Sequence, residues 1–241
     1  MTKERKGFSL LEALISLFFF LLIVIFSLDC FLSVKSHFVM LKESEITHTA
    51  VHAALDRMRR DLFEAGLGLT EAIEMQVLDG ISDESGELVI LSASEDLVLG
   101  GDLASGQRQI FTPDALSVKK GHLIVIFDPF RGEVHSVAST DLLRIMIESP
   151  LVSDYSQENT KMILLRKIAL FFDEADGVLR RKVNASPAQP LLENVASFGF
   201  DYVQDTNVVK IELCLNSDEE RKYETTLFPK NTAISSITLE K

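Results

Sequence analysis

From Phe8 to Leu28 the chain runs for 21 residues with one formal charge, Glu12. A helix of that length rises about 30 Å at ~1.5 Å per residue, the hydrocarbon thickness of a bilayer. This run constrains the chain more than any other feature. A helix that is apolar on every side has to be covered by lipid or by other helices. Lys3, Arg5 and Lys6 precede the run. Their charge favours keeping the N-terminus in the cytoplasm, so the chain beyond Leu28 is expected on the other side of the membrane.

Three ordinary readings fit the run poorly. A secretory signal peptide has an apolar stretch of about 7–15 residues that ends in small residues. This run is longer and ends Ile25-Phe26-Ser27-Leu28-Asp29-Cys30. A lipoprotein signal needs small residues just before its cysteine, where Asp29 stands. A plain anchor leaves Glu12 without a purpose, at a cost on the order of 2.5–3.5 kcal/mol at a bilayer centre and less near its edge.

The stretch Lys6-Gly7-Phe8-Ser9-Leu10-Leu11-Glu12-Ala13-Leu14 resembles the processing site of type IV prepilins and type II secretion pseudopilins. The match rests on Lys6, Gly7, Phe8, Leu11, Glu12 and Leu14. The resemblance implies that a basic leader ends at Gly7 and that a membrane prepilin peptidase cuts after it. It also implies that Phe8 becomes an N-methylated terminus, and that Glu12, fifth in the mature chain, serves assembly. The physics agrees with this role. A carboxylate and a newly made α-amine, each costly alone in lipid, become tolerable as a pair between neighbouring subunits.

Beyond Asp29 the helical pattern continues. Phe31, Val34, Phe38 and Leu41, then Val51, Leu55, Met58, Leu62 and Ala65, recur at steps of about three or four residues. Neither proline nor glycine interrupts Phe8 to Glu64, and Gly66 and Gly68 supply a stop. One helix from Phe8 to Ala65 is expected, 58 residues and about 87 Å long. The expected organisation is a leader at 1–7, a transmembrane helix at 8–28, an amphipathic continuation at 29–66 and a head at 67–241. The words around Arg60-Asp61 and Ala65-Gly66 also resemble PilW-type minor pilins and GspJ-type pseudopilins.

After Thr70 the reading changes to short strands. Glu87–Ser92, His122–Phe127, Gly132–Ser139 and Leu142–Ser149 read as strands, with a turn expected around Ser139 to Asp141. Met162–Phe172 and Val178–Val183 flank Asp176-Gly177, a hairpin signal. Val195–Val203 follows. Then Val209, Ile211, Leu213 and Leu215 alternate with Lys210, Glu212 and Cys214, as in a half-buried strand. Glu224–Asn231 adds a final edge strand that Pro229 should end. The fold class is therefore α+β: a long N-terminal helix, half membrane-spanning and half amphipathic, packed on an antiparallel β-rich head. The order of these runs is similar to that of the same pilin-like heads, although His122 departs from the family's acidic residue at that place.

Other chemistry has weaker support. His48 and His52 stand four apart on the helix, but Thr49 occupies the place of the glutamate in H-E-x-x-H. The acidic groups Asp79, Asp83, Glu84 and Glu87, and Asp173, Glu174 and Asp176, lack EF-hand spacing. The glycine-rich turns lack the lysine of a phosphate loop. No metal, cofactor or catalytic role is expected. Cys30 and Cys214 are expected as free thiols. The first seven residues sum to +2 and the whole chain to -12, so the remainder stands at -14. Such acidity argues against nucleic-acid binding.

The resemblance implies a minor pilin or pseudopilin in the bacterial inner membrane, single-pass, with a cytoplasmic N-terminus and an extracytoplasmic head. Its partners would be other pilins or pseudopilins, the prepilin peptidase, the inner-membrane assembly platform and the lipid bilayer. The competing expectation is a single-pass anchored protein whose head binds a ligand outside the membrane.

Overall fold

The computed structural model describes residues 10–113, 117–216 and 218–232; for 218 to 221 it describes the backbone alone. The helix α1 runs from Leu10 to Phe63, 54 residues. Its end falls two residues short of the expected one. There Gly66 and Gly68 take φ of +71° and +72°, a region that β-carbons disfavour. The Gly66 amide then donates to the Leu91 carbonyl at 2.8 Å, which turns the chain onto the sheet.

The chain divides into two compact units, Met1–His52 and Ala53–Lys241, so the division falls inside α1. Within the first unit Phe31, Val34, Phe38 and Leu41 are exposed along with the apolar run. The second unit takes in the last turns of α1, where Leu55, Met58 and Leu62 are buried, and Ala65 just beyond. Of the amphipathic stretch expected at 29–66, the part from Ala53 onward belongs with the head.

The head is antiparallel throughout. A short helix α2 (Thr70–Glu74) precedes β1 (Ile81–Glu84), β2 (Glu87–Leu97), β3 (Gln109–Phe111), β4 (Leu123–Asp128), β5 (Arg131–Asp141) and β6 (Arg144–Ile147). Then come β7 (Lys161–Asp173), β8 (Val178–Val183), β9 (Gln189–Leu192), β10 (Val195–Val203), β11 (Val208–Leu215) and β12 (Asp218–Leu227). The main path runs β1-β2-β7-β4-β5-β6-β3, and β8 and β9 branch from β7. β7 is the spine. One of its edges pairs with β2 from Leu170 to Met162. The other is shared between β4, at 161–165, and β8, at 168–173. A separate sheet is ordered β10-β11-β12.

Alternation places two cores on opposite faces of the main sheet. Val125, Phe127, Ile163 and Leu165 pack with Leu69, Ala72 and Ile73 of the α2 region. Ile124, Ile126, Met162 and Leu164 pack with Val137, Ile145 and Ile147, where β5 and β6 curl over the sheet. The run Leu123–Phe127 is apolar throughout because β4 is covered on both faces. In the smaller sheet Val209, Ile211, Leu213 and Leu215 are buried, as their alternation requires.

Two boundaries differ from expectation. β5 continues through Asp141, and the turn is Leu142-Leu143, two exposed residues that read as strand because they are apolar. The Asp141 carboxylate accepts the Leu142 amide at 2.8 Å, a local bond that favours turning over extension. The hairpin at Asp176-Gly177 is present with a four-residue loop, since Asp173 pairs with Val178; Gly177 carries φ +64°. β12 begins at Asp218, earlier than expected, and ends two residues before Pro229.

Candidate functional site

Glu12 lies in the first turn of α1, the positive end of the helix dipole, where a carboxylate is favoured. It is exposed, and so are the apolar residues beyond it: Leu17, Phe18, Phe19 and Phe20 are all exposed, and four consecutive residues face different sides of the helix. One window of α1 reaches a mean hydropathy of 2.7. The helix is long and apolar enough to cross a bilayer. Lys3, Arg5, Lys6, Gly7 and Phe8 lie outside the described residues.

At the other end of α1, charged groups tie the helix into the head. Arg181 on β8 donates from Nε to Asp61 Oδ2 at 2.6 Å and from Nη2 to Asp61 Oδ1 at 2.9 Å. Asp61 is 2% exposed and Arg181 9%. This fork-on-fork geometry is the strong form of the pair and the one that burial requires. Arg59 adds bonds of 3.2 and 3.1 Å to the Thr225 hydroxyl on β12. Glu64 pairs with Arg166 on β7. The Asn231 amide donates to the Phe63 carbonyl at 3.0 Å, satisfying one of the acceptors left open at the helix end.

From the sequence Asp61 reads as one of the charges that fill the other faces of the helix, but the structure buries it. Both halves carry a signal. Asp61 falls on the helical stripe that holds Met58 and Leu62, and Arg181 falls on the inward parity of β8 with Leu179. A charge at a core position asks for a buried counter-charge, but the choice between partners 120 residues apart is a tertiary matter.

A second polar cluster was also missed. Glu133 on β5 accepts the amides of Val152 and Ser153 at 2.9 and 3.0 Å and meets His135 Nε2 at 2.8 Å. His135 Nδ1 lies 2.9 Å from the Ser149 hydroxyl. An ionised carboxylate only accepts, so with a neutral ring Nε2 holds the proton and Nδ1 accepts from Ser149. Burial pushes the Glu133 carboxyl up, but the two amides and the His135 bond outweigh it and hold the carboxyl below its ordinary value. The nearby Tyr155 phenol, buried beside this carboxylate, is pushed well above its usual range. The order serine, histidine, glutamate invites a catalytic reading. The Val152 and Ser153 amides are spent on Glu133, so these two N–H groups are not free to meet an oxyanion. The cluster fastens the 149–155 segment to β5.

The remaining sequence candidates are placed as follows. His48 is half-buried and His52 exposed, and among the described residues no group of metal-ligating side chains could hold an ion. The acidic turns make local bonds: Asp83 caps the Gly86 amide at 2.8 Å, Glu84 pairs with Lys167, and Asp173 and Asp176 both pair with Arg180. Cys30 is exposed and Cys214 half-buried, and both are free thiols.

No protein-family model matches the chain, and no curated protein matches it. Among solved structures it is similar to the Gp54 tailspike of Acinetobacter baumannii bacteriophage AP22, solved with a capsular saccharide. The identity there is 20%, over 32% of this chain and 15% of the tailspike, with a TM-score of 0.28. The gp49 tailspike of Pseudomonas phage LKA1 matches at 18% identity over 32% of this chain and 14% of its own, with a TM-score of 0.26. The gp61 tailspike of Pseudomonas phage phi297 matches at 17% over 31% and 14%, with a TM-score of 0.27. The chain thus spans about 15% of the length of these proteins. Overlaps this small carry no argument about what it does.

Proposed function

We propose that this chain is a minor pilin or pseudopilin, a structural or initiating subunit of a type IV pilus or type II secretion filament. The observation that carries the reading is Glu12, set in the first turn of a helix that is apolar on all sides and continues into a β-rich head. The sequence around Gly7 and Phe8 supports it. In this reading the precursor enters the bacterial inner membrane with its N-terminus in the cytoplasm, and the prepilin peptidase cuts after Gly7. Phe8 is then methylated. The assembly platform passes the subunit into a filament, where Glu12 meets the Phe8 amine of a neighbouring subunit and fixes its axial position.

Intact-mass and N-terminal sequencing of the chain from cells with an active prepilin peptidase test the reading. A mature chain beginning at methylated Phe8 is expected, and Glu12→Gln should insert into the membrane while incorporation into filaments falls about tenfold or more. A chain that keeps Met1 under those conditions would overturn it.

A further inference from the structure

A cavity of about 570 Å³ opens on the head where β2 parts from β7. The two strands pair as far as Leu97 and Met162. Beyond that point Val98 and Leu99 leave the sheet to form one wall, while Lys161 turns to Phe127 of β4 and forms the floor. The other wall is the start of α2, with Thr70 and Glu71. Asp96 pairs with Ile163 across the strands, and Ile163 faces the α2 side, so Asp96 stands over this floor. A second cavity of about 290 Å³ continues past Glu71, Phe127 and Lys161, and adds Glu74, Met75 and Asp128 to the lining. The two volumes are in the range of ligand pockets, and their mixed apolar and polar lining suits a peptide-sized guest.

The charges are unequal. Glu71, Glu74, Asp96 and Asp128 line the two cavities against Lys161 alone. Asp128 is committed to Arg131 and to the Phe130 amide. Glu71 is held by the Lys161 amine, 2.6 Å from each of its oxygens, across the waist between the cavities. Asp96 and Glu74 are exposed and have no ion pair among the described residues. Thr160, whose hydroxyl is buried without a hydrogen-bond partner among the described residues, lines the larger cavity. A lysine already bridging the waist shows where a cation sits well, and the two remaining carboxylates flank that place.

We propose that this cleft between α2 and the parting of β2 from β7 binds an extended polypeptide segment carrying arginine or lysine, with Asp96 and Glu74 pairing to the incoming cations and Lys161 acting as the internal competitor. Two-pronged guanidinium groups suit carboxylates at such a rim. The apolar part of the lining, Phe127 and Ile163 beside Lys161, takes the aliphatic stems, as long basic side chains allow. The site stands independently of the filament reading, since it needs only the head and a basic partner.

The test uses the full chain in detergent micelles and the fluorescein-labelled peptide Gly-Arg-Leu-Arg-Gly, read by fluorescence polarisation, with a citrulline-substituted peptide alongside. Asp96→Asn should weaken binding about fivefold or more, and Lys161→Ala should tighten it about threefold by freeing Glu71. Half-molar salt should abolish it. The opposite signs exclude misfolding as the cause. Glu193→Gln, away from the cleft, should change affinity less than twofold. The proposal is overturned if the citrulline peptide binds as well as the arginine one, or if no arginine-dependent binding is found up to about millimolar peptide. It is equally overturned if Lys161→Ala weakens binding, or if Glu193→Gln weakens it as much as Asp96→Asn, the mark of attraction to net charge alone.

Discussion

Replacing Asp61 by alanine leaves the Arg181 guanidinium in a site where it is 9% exposed and has lost both of its short bonds. Removing one partner of a buried pair costs about 3–5 kcal/mol, because the survivor stays desolvated and uncompensated. For a unit the size of Ala53–Lys241, each kcal/mol shifts Tm by about 2–4 °C, so a fall of about 6–20 °C is expected. Asp61→Leu combined with Arg181→Met should recover most of the loss, since it removes both charges and keeps the volume. The assay is thermal unfolding of the parent, Asp61→Ala and the Asp61→Leu/Arg181→Met chain in one detergent, followed by near-ultraviolet circular dichroism. If Asp61→Ala melts within about 2 °C of the parent, the pair is not desolvated in the folded head. The helix end would then be docked by Leu55, Met58 and Leu62 with the contacts of Arg59, Glu64 and Asn231, and without help from the Asp61–Arg181 pair.

Glu133 gives the head an acid-sensitive clamp. Its folded pKa lies below the ordinary 4.5, so the unfolded chain binds more protons in the interval between the two values, and stability rises with pH there. The contribution is complete above about 4.5 and is lost as pH falls through the depressed folded value. Urea titrations between about pH 3 and 7 should show this loss, and Glu133→Gln should flatten it; an unchanged slope would refute the assignment. Gly66 and Gly86 both have positive φ, +71° and +85°. A Cβ at Gly66 would stand 2.8 Å from the Asn231 carbonyl oxygen, whereas one at Gly86 meets nothing within 4 Å. Gly86→Ala should therefore cost about 1–2 kcal/mol in backbone strain alone. Gly66→Ala should cost more in the same denaturation assay, and equal costs would show that the contact at Gly66 gives way freely.

Much of the fold was legible because local patterns report local surroundings. The long helix follows from an apolar run and two stretches of three-and-four spacing with no proline or glycine between them, and β11 follows from its strict alternation. One boundary was misplaced where a single signal stood for two states. Leu142 and Leu143 are apolar but form a turn, because Asp141 accepts a neighbouring amide and no core lies over them. The stripe Phe31, Val34, Phe38 and Leu41 has the spacing of a covered face yet is exposed. Periodicity marks a face without naming what covers it.

By itself the sequence determined the apolar helix, the acid within it, the motif at Gly7 and Phe8, and the strand-rich character of the head, all properties of residues close in the chain. Tertiary structure alone decided the pairing of Asp61 with Arg181, the clamp of Glu133 on the 149–155 segment, and the cleft where β2 leaves β7. These depend on which strands become neighbours. That choice is made by burying apolar faces over the whole head, and spacing along the chain does not encode it.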